Sequence, residues 1–181
     1  MKDIKLVLDE IDKHKERLNY AKSKIEKWHL TQELLENPEI VETIDSFIFR
    51  FSKMQDSMGE KLFPLILEIL GEETRNKPFI DILNKLEKLE FIPSANEWKK
   101  LRNLRNSLTH TYPWEKEVLL EEIKEALSAA DKIVEIYKQI KEKLKPYLLK
   151  EKGLNIWKKE HRFYIRPFGG DKNGSVRRES I

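Results

Sequence analysis

The chain has 181 residues, a length that fits one domain with a sizeable core. It contains no cysteine, which excludes a disulfide framework and a thiolate metal site, and its four histidines are not spaced as a helical metal-binding pair. The balance of 37% charged and 39% apolar residues is typical of a helical bundle with a charged outer surface. Because no apolar run approaches the length of a membrane span and no signal peptide is recognisable, we expect a cytoplasmic protein without a membrane partner.

Apolar residues recur at intervals of three and four along most of the chain, as in helices that bury one face. Ile4 starts a seven-residue apolar repeat, and Pro64 is expected to bend the second helix. Asn37 is expected to cap a helix that begins with proline, and Ser94 with Glu97 has the spacing of a capping box. We therefore predict an up-and-down all-α bundle of five helices, near residues 3–33, 38–70, 78–91, 94–112 and 114–146.

Polar residues interrupt two of the predicted apolar stripes. His14 falls in the seam of the first helix, where we expect a buried or interface histidine with a hydrogen-bond partner rather than a catalytic one. Gln55, Asp56 and Ser57 lie in the middle of the second helix, beside its apolar stripe. We expect these three side chains to face solvent or to form hydrogen bonds with a neighbouring helix.

Residues 149–181 differ in composition from the predicted bundle at residues 1–148. Residues 150–181 hold nine lysines and arginines against four acidic residues, a net charge of +5, and the rest of the chain has 26 against 28, a net charge of −2. We expect this tail to bind RNA through its basic residues or a protein partner through its aromatic ones, and to be disordered beyond Gly169. A solvated tail with one docked apolar patch is the alternative. The basic residues assigned to RNA are Lys158, Lys159, Arg162 and Arg166.

The end of the predicted fourth helix gathers the most reactive side chains of the chain, namely Arg102, Arg105, Asn106, His110 and Tyr112. At 100° per residue, Asn106 and His110 point the same way, while Arg105 borders the apolar face. Histidine exchanges protons near neutral pH, and arginine matches a phosphate and the charge that develops during its transfer. These groups suit metal-independent RNA cleavage by the ribose 2′-hydroxyl. By themselves, however, an arginine and a histidine at a helix end are more often surface residues.

Residues 105–112, RNSLTHTY, resemble the R-x4-H-x-Y signature of HEPN-domain toxins, including the polar residue that follows the arginine. The predicted setting is also similar, with the motif toward the end of a late helix and another long helix after it. The stretch RFSKMQDSMGEKLFPLILEIL resembles the second helix of such toxins. The resemblance covers residues 1–148 and leaves the tail unexplained.

The resemblance implies a homodimeric, metal-independent endoribonuclease without a cofactor, which is the toxin of a toxin–antitoxin pair. Arg105 and His110 would be catalytic with Asn106 in support, and we assign Arg102 to RNA binding. The expected partner is a minimal nucleotidyltransferase antitoxin, which would transfer AMP to Tyr112 or silence the toxin by binding alone. The alternatives are a non-catalytic helical module that presents substrate to a nucleotidyltransferase and a structural bundle that pairs with other helices.

Overall fold

A computed structural model of the protein describes residues 4–111 and 114–160, with side chains as far as residue 149. Within these residues the fold is all-α, as predicted. Its α-helices are α1 (Ile4–Ile25), α2 (Pro38–Asp56), α3 (Phe63–Ile69), α4 (Phe79–Lys88), α5 (Ala95–His110) and α6 (Lys116–Glu160). A π-helical turn, Ser57–Leu62, joins α2 to α3 in one continuous helix, so the described residues form the five predicted helices. A short 3₁₀ turn, Glu33–Glu36, precedes α2.

The core forms where α1 packs along α2 through the predicted seven-residue seam. The four seam residues are all buried: Ile4, Ile11, Leu18 and Ile25. The first part of α6 closes against α1, because the Tyr137 side chain is fully buried and its hydroxyl donates to the carbonyl of Leu8 at 3.0 Å. Burial of these side chains supplies the main driving force for the bundle.

Local capping fixes the starts of α2 and α5, as predicted. The Asn37 side chain accepts a hydrogen bond from the backbone N–H two residues later, at 3.0 Å. Ser94 accepts from the N–H groups two and three residues later, at 3.1 and 3.3 Å. The start of α5 places Arg105 in its last two turns and makes His110 its final residue.

The π turn is the main irregularity in the second predicted helix. The Phe63 N–H bonds to the carbonyl of Met58, five residues earlier, instead of four as in an α-helix. Pro64 lies just after the π turn, and as a proline it has no N–H to bond back across that turn. Because a π turn holds an extra residue, side chains on its two sides change face relative to a regular helix.

Two predicted helix ends were wrong. α1 ends at Ile25 rather than residue 33, because none of residues 26–33 is buried against the rest of the bundle and unpacked turns add little stability to a helix. α6 continues through Pro146 to Glu160 rather than ending near residue 146. Proline removes one backbone hydrogen bond there and crowds the preceding turn, but the Leu, Lys and Glu residues that follow favour helix. The other predicted boundaries agree to within three residues.

Chain contacts define one compact unit that ends at Leu144 and a second that begins at Lys145. The side chains of the candidate site belong to the first unit. None of the helices in the described part of the chain is both long and apolar enough to cross a membrane.

Candidate active site at the end of α5

Arg105 is held in place by a carboxylate from another helix. Its Nη2 donates to Oδ1 of Asp56, the last residue of α2, and its Nη1 donates to Oδ1 of Asn106 at 2.9 Å. The Arg105 and Asp56 side chains are 25% and 28% exposed, so solvent screens their ion pair only in part. A charge-assisted bond of this kind is stronger than a neutral one, and it fixes the direction of the guanidinium.

Asn106 and His110 lie on the exposed side of α5, as their four-residue spacing predicted. Among the described residues, no hydrogen bond or ion pair joins His110 to Arg105 or Asn106. The structure thus brings Arg105 and Asn106 into contact and leaves the imidazole of His110 open to solvent at the helix end.

The last turn of α5 is fastened to α6 through Glu122. Its carboxylate accepts hydrogen bonds from Ser107 and, at 2.7 Å, from Thr111, the residues on either side of the last turn. Thr111 has extended backbone, so the chain leaves the helix directly after His110. Sequence reasoning missed Glu122, because the four-residue spacing of Ser107 and Thr111 shows a shared face but not which helix supplies the acceptor.

A cavity of about 380 Å³ lies on the α2 side of Arg105. Its lining combines two carboxylates, two guanidinium groups and two aromatic rings, from Asp56, Glu60, Arg102, Arg105, Phe79 and Trp98. The Arg102 guanidinium lies 5.4 Å from the centre of the Phe79 ring, a cation–π distance. Arg102, which was predicted to bind RNA, is exposed and also lines this cavity.

The polar stretch at the end of α2 splits between two outcomes. Asp56 and Ser57 form hydrogen bonds with neighbouring helices, to Arg105 and to Glu10 (2.7 Å), as predicted. Gln55 does neither of the predicted things: it is only 3% exposed, it lines the cavity, and its amide N and O have no partner. A buried group left unpaired in this way costs about 1–3 kcal/mol. The polar stretch was the sequence signal for this part of the site, but its link to Arg105 was missed.

On the α1 side of the π turn, a second polar cluster surrounds Glu10. Hydrogen bonds from Lys61, at 2.7 and 2.8 Å, and from Ser57 hold the pKa of Glu10 below its ordinary value. The Arg50 Nη1 lies 3.4 Å from Nδ1 of His14, which confirms the prediction that His14 has a polar partner. Burial, followed by the charge of Arg50, lowers the pKa of His14, which favours its neutral form.

Several predicted site residues fall outside the described residues: Tyr112, Arg162 and Arg166, together with the expected disorder beyond Gly169. Lys158 and Lys159 lie in the last turns of α6, where only the backbone is described.

Comparisons of the chain with models of protein families, with characterised proteins and with solved structures find no match. Its function is therefore inferred from its residues and their geometry. In the described part of the chain, no three His, Asp or Glu side chains are grouped to hold a metal ion. What the geometry offers is a fixed guanidinium, an exposed imidazole on the same helix and an adjoining cavity.

Proposed function

We propose that the chain is a HEPN-type endoribonuclease, the toxin of a toxin–antitoxin pair. The observation that carries the proposal is the R-N-x3-H-x-Y motif at the end of α5, with its arginine held by Asp56 from another helix. The proposal is further supported by the all-α fold, with a long helix after the motif.

In the proposed reaction the ribose 2′-oxygen attacks the adjacent phosphorus and loses its proton to a base. The bond from phosphorus to the 5′-oxygen breaks, and that oxygen takes a proton from an acid. The products are a 2′,3′-cyclic phosphate and a 5′-hydroxyl, so no oxidant or cofactor is consumed. DNA lacks the 2′-hydroxyl and is not cleaved by this route.

Arg105 is suited to the charge that develops on the phosphate oxygens. Its bonds to Asp56 and Asn106 use one N–H of Nη2 and one of Nη1, which leaves the second N–H of each nitrogen for a phosphate. The position of Arg105 is set before substrate binds, so little reorganisation is needed at the moment of reaction. Asn106 then supports catalysis by orienting Arg105.

His110 is the proposed proton carrier, and one imidazole cannot stand on both sides of the phosphate at once. We therefore propose a homodimer in which a second copy of the chain supplies the second histidine. The exposure of His110 is compatible with such a shared cleft. Light scattering at micromolar concentration should report a dimer, and a strictly monomeric but active protein would contradict this part of the proposal.

Silencing is assigned to a minimal nucleotidyltransferase in the cytoplasm, acting through Tyr112. AMP on that tyrosine adds a phosphate charge two residues after His110 in the sequence, and we propose that this charge competes with the RNA phosphate for Arg105. Co-expression with the partner should add about 329 Da to the wild-type chain and nothing to Tyr112→Phe. Neutralisation of the wild-type toxin without this mass change would show that binding alone is the off-switch.

The deciding experiment is cleavage of RNA by the purified protein without added metal. We expect a 2′,3′-cyclic phosphate at the new 3′ end, no product from an RNA with a 2′-deoxy residue at the cut, and no product with His110→Ala. If the wild-type chain binds a nucleotidyltransferase but cleaves no RNA, the non-catalytic module is the better description.

Basic residues of the tail are proposed to aid RNA binding, namely Lys158, Lys159, Arg162 and Arg166. Truncation after Lys150 tests this proposal, because it should weaken RNA binding if the tail contributes.

A further inference from the structure

The cavity beside Arg105 contains polar atoms that the protein itself leaves unpaired. Gln55 lines the cavity with both amide atoms unpartnered, although its side chain is almost wholly buried. The Nε of Arg105, which also lines the cavity, is buried without a partner. Native proteins rarely leave such groups unsatisfied, and here they come from two helices and meet at one pocket. A ligand with complementary edges would satisfy them together.

The walls of the cavity suit a flat ring. Phe79 from α4 lines it with a partly exposed ring, whereas Trp98 from α5 is only 1% exposed and packs on Phe63. A Cβ on Gly59 would lie 3.4 Å from Cζ of Phe79 and 3.7 Å from Cζ2 of Trp98. Aromatic side chains of this kind stack on the bases of single-stranded RNA.

The hydrogen-bonding groups of the pocket select among the four bases. The Gln55 amide nitrogen and the Arg105 Nε are two free donors. The free acceptors are the Gln55 amide oxygen and the carboxylate of Glu60, which forms no hydrogen bond or ion pair with another described residue. Guanine has two adjacent acceptors, O6 and N7, and two adjacent donor groups, N1–H and N2–H₂. Adenine, cytosine and uracil each have a single donor group on their base edges.

We propose that this cavity is a guanine pocket that reads one base of the RNA strand beside the cleaved phosphate. Gln55 recognises the base edge, Phe79 stacks on its ring, and Arg102 at the rim meets a neighbouring phosphate. The pocket shares Arg105 with the catalytic motif, which places the recognised base next to the cut. This assignment rests on the proposed ribonuclease function, since that function supplies the strand.

The test measures binding rather than cleavage. Fluorescence anisotropy is followed with labelled 2′-O-methyl trinucleotides UGU, UAU, UCU and UUU, which lack the 2′-hydroxyl and cannot be cut. The wild-type chain should bind UGU on the order of tenfold more tightly than the other three. Gln55→Leu should bring the four affinities together, and Phe79→Leu should weaken all four by on the order of tenfold through lost stacking.

Ser52→Ala is the matched control. The Ser52 hydroxyl is also buried without a partner on α2, one turn earlier, but Ser52 does not line the cavity. Its removal should leave the preference for UGU unchanged. Circular dichroism checks that each variant keeps its helical content. Phe79 and Gln55 lie on different helices, so if one of the two variants fails to fold, the other still tests the pocket.

The outcomes separate this inference from the proposed function. If binding favours UGU and depends on Gln55 but the protein cuts no RNA, the guanine pocket is supported and the proposed ribonuclease function is wrong. His110-dependent cleavage without any base preference, unchanged by Gln55→Leu, supports the ribonuclease and overturns the pocket. Free guanosine monophosphate that binds as tightly as UGU would overturn the assignment to an RNA strand in favour of a free nucleotide.

Discussion

Arg105 and Asp56 are 49 residues apart in sequence, and their side chains form an ion pair that joins the end of α5 to the end of α2. Arg105 belongs to the arginine–histidine motif, and both residues of the pair line the cavity that Gln55 also lines. The ion pair therefore connects the two parts of the candidate site, and a substitution of either residue should alter both the catalytic motif and the cavity.

Asp56→Asn should lower RNA cleavage while preserving the fold. The amide keeps the size of the side chain but loses the charge that directs the Arg105 guanidinium, and a misplaced catalytic group can cost on the order of 10²-fold in rate. Single-turnover cleavage measures the loss, and Asp45→Asn on the same helix is the control. Full activity of Asp56→Asn would mean that Arg105 is positioned by other contacts.

Arg105→Ala and His110→Ala should each reduce cleavage by ~10²–10⁴-fold, because each removes a charge stabiliser or a proton carrier. Their effects on stability should differ. Loss of Arg105 leaves the partly buried carboxylate of Asp56 without its partner, so the Tm of Arg105→Ala should fall below that of the wild type. Because His110 is exposed, the Tm of His110→Ala should stay close to that of the wild type. Thermal melts measure the Tm of each variant, and cleavage assays measure its rate. If His110→Ala cleaved RNA at the wild-type rate, the assignment of His110 as a catalytic residue would be wrong.

Glu122→Ala should loosen the last turn of α5. Both Ser107 and Thr111 lose their shared acceptor, so amide hydrogen exchange should accelerate around residues 107–111 and cleavage should weaken. Glu121→Ala is the matched control, since Glu121 is adjacent and, among the described residues, pairs only with the exposed Lys124. Equal exchange rates in the two variants would show that Glu122 does not hold the motif.

Stability should fall in acid partly through Glu10. Hydrogen bonds from Lys61 and Ser57 lower its pKa in the folded state below the ordinary value of 4.5. A depressed carboxyl pKa stabilises the fold fully above the unfolded-state value, and this stabilisation is lost as pH falls through the folded-state value. The free energy of unfolding of the wild type should therefore exceed that of Glu10→Gln at neutral pH, and the gap should narrow below about pH 4.5. Urea titrations at several pH values measure the gap, and a constant gap would contradict the assignment.

Features set by neighbouring residues were predictable from the sequence. The starts of α2 and α5 follow from Asn37 and Ser94, because a cap is a hydrogen bond across two or three residues. The buried seam of α1 follows from apolar spacing, and the common direction of Asn106 and His110 follows from helical geometry.

Features that depend on packing between distant segments were decided only by the tertiary structure. The partners of Arg105 and Thr111 come from α2 and α6, and no local pattern shows which helix will lie opposite. The π turn and the buried amide of Gln55 border a cavity that residues of α4 and α5 also line, and the sequence alone does not show which helices meet there. Local propensities differ by less than 1 kcal/mol for most residues, so packing against neighbouring helices settles such choices.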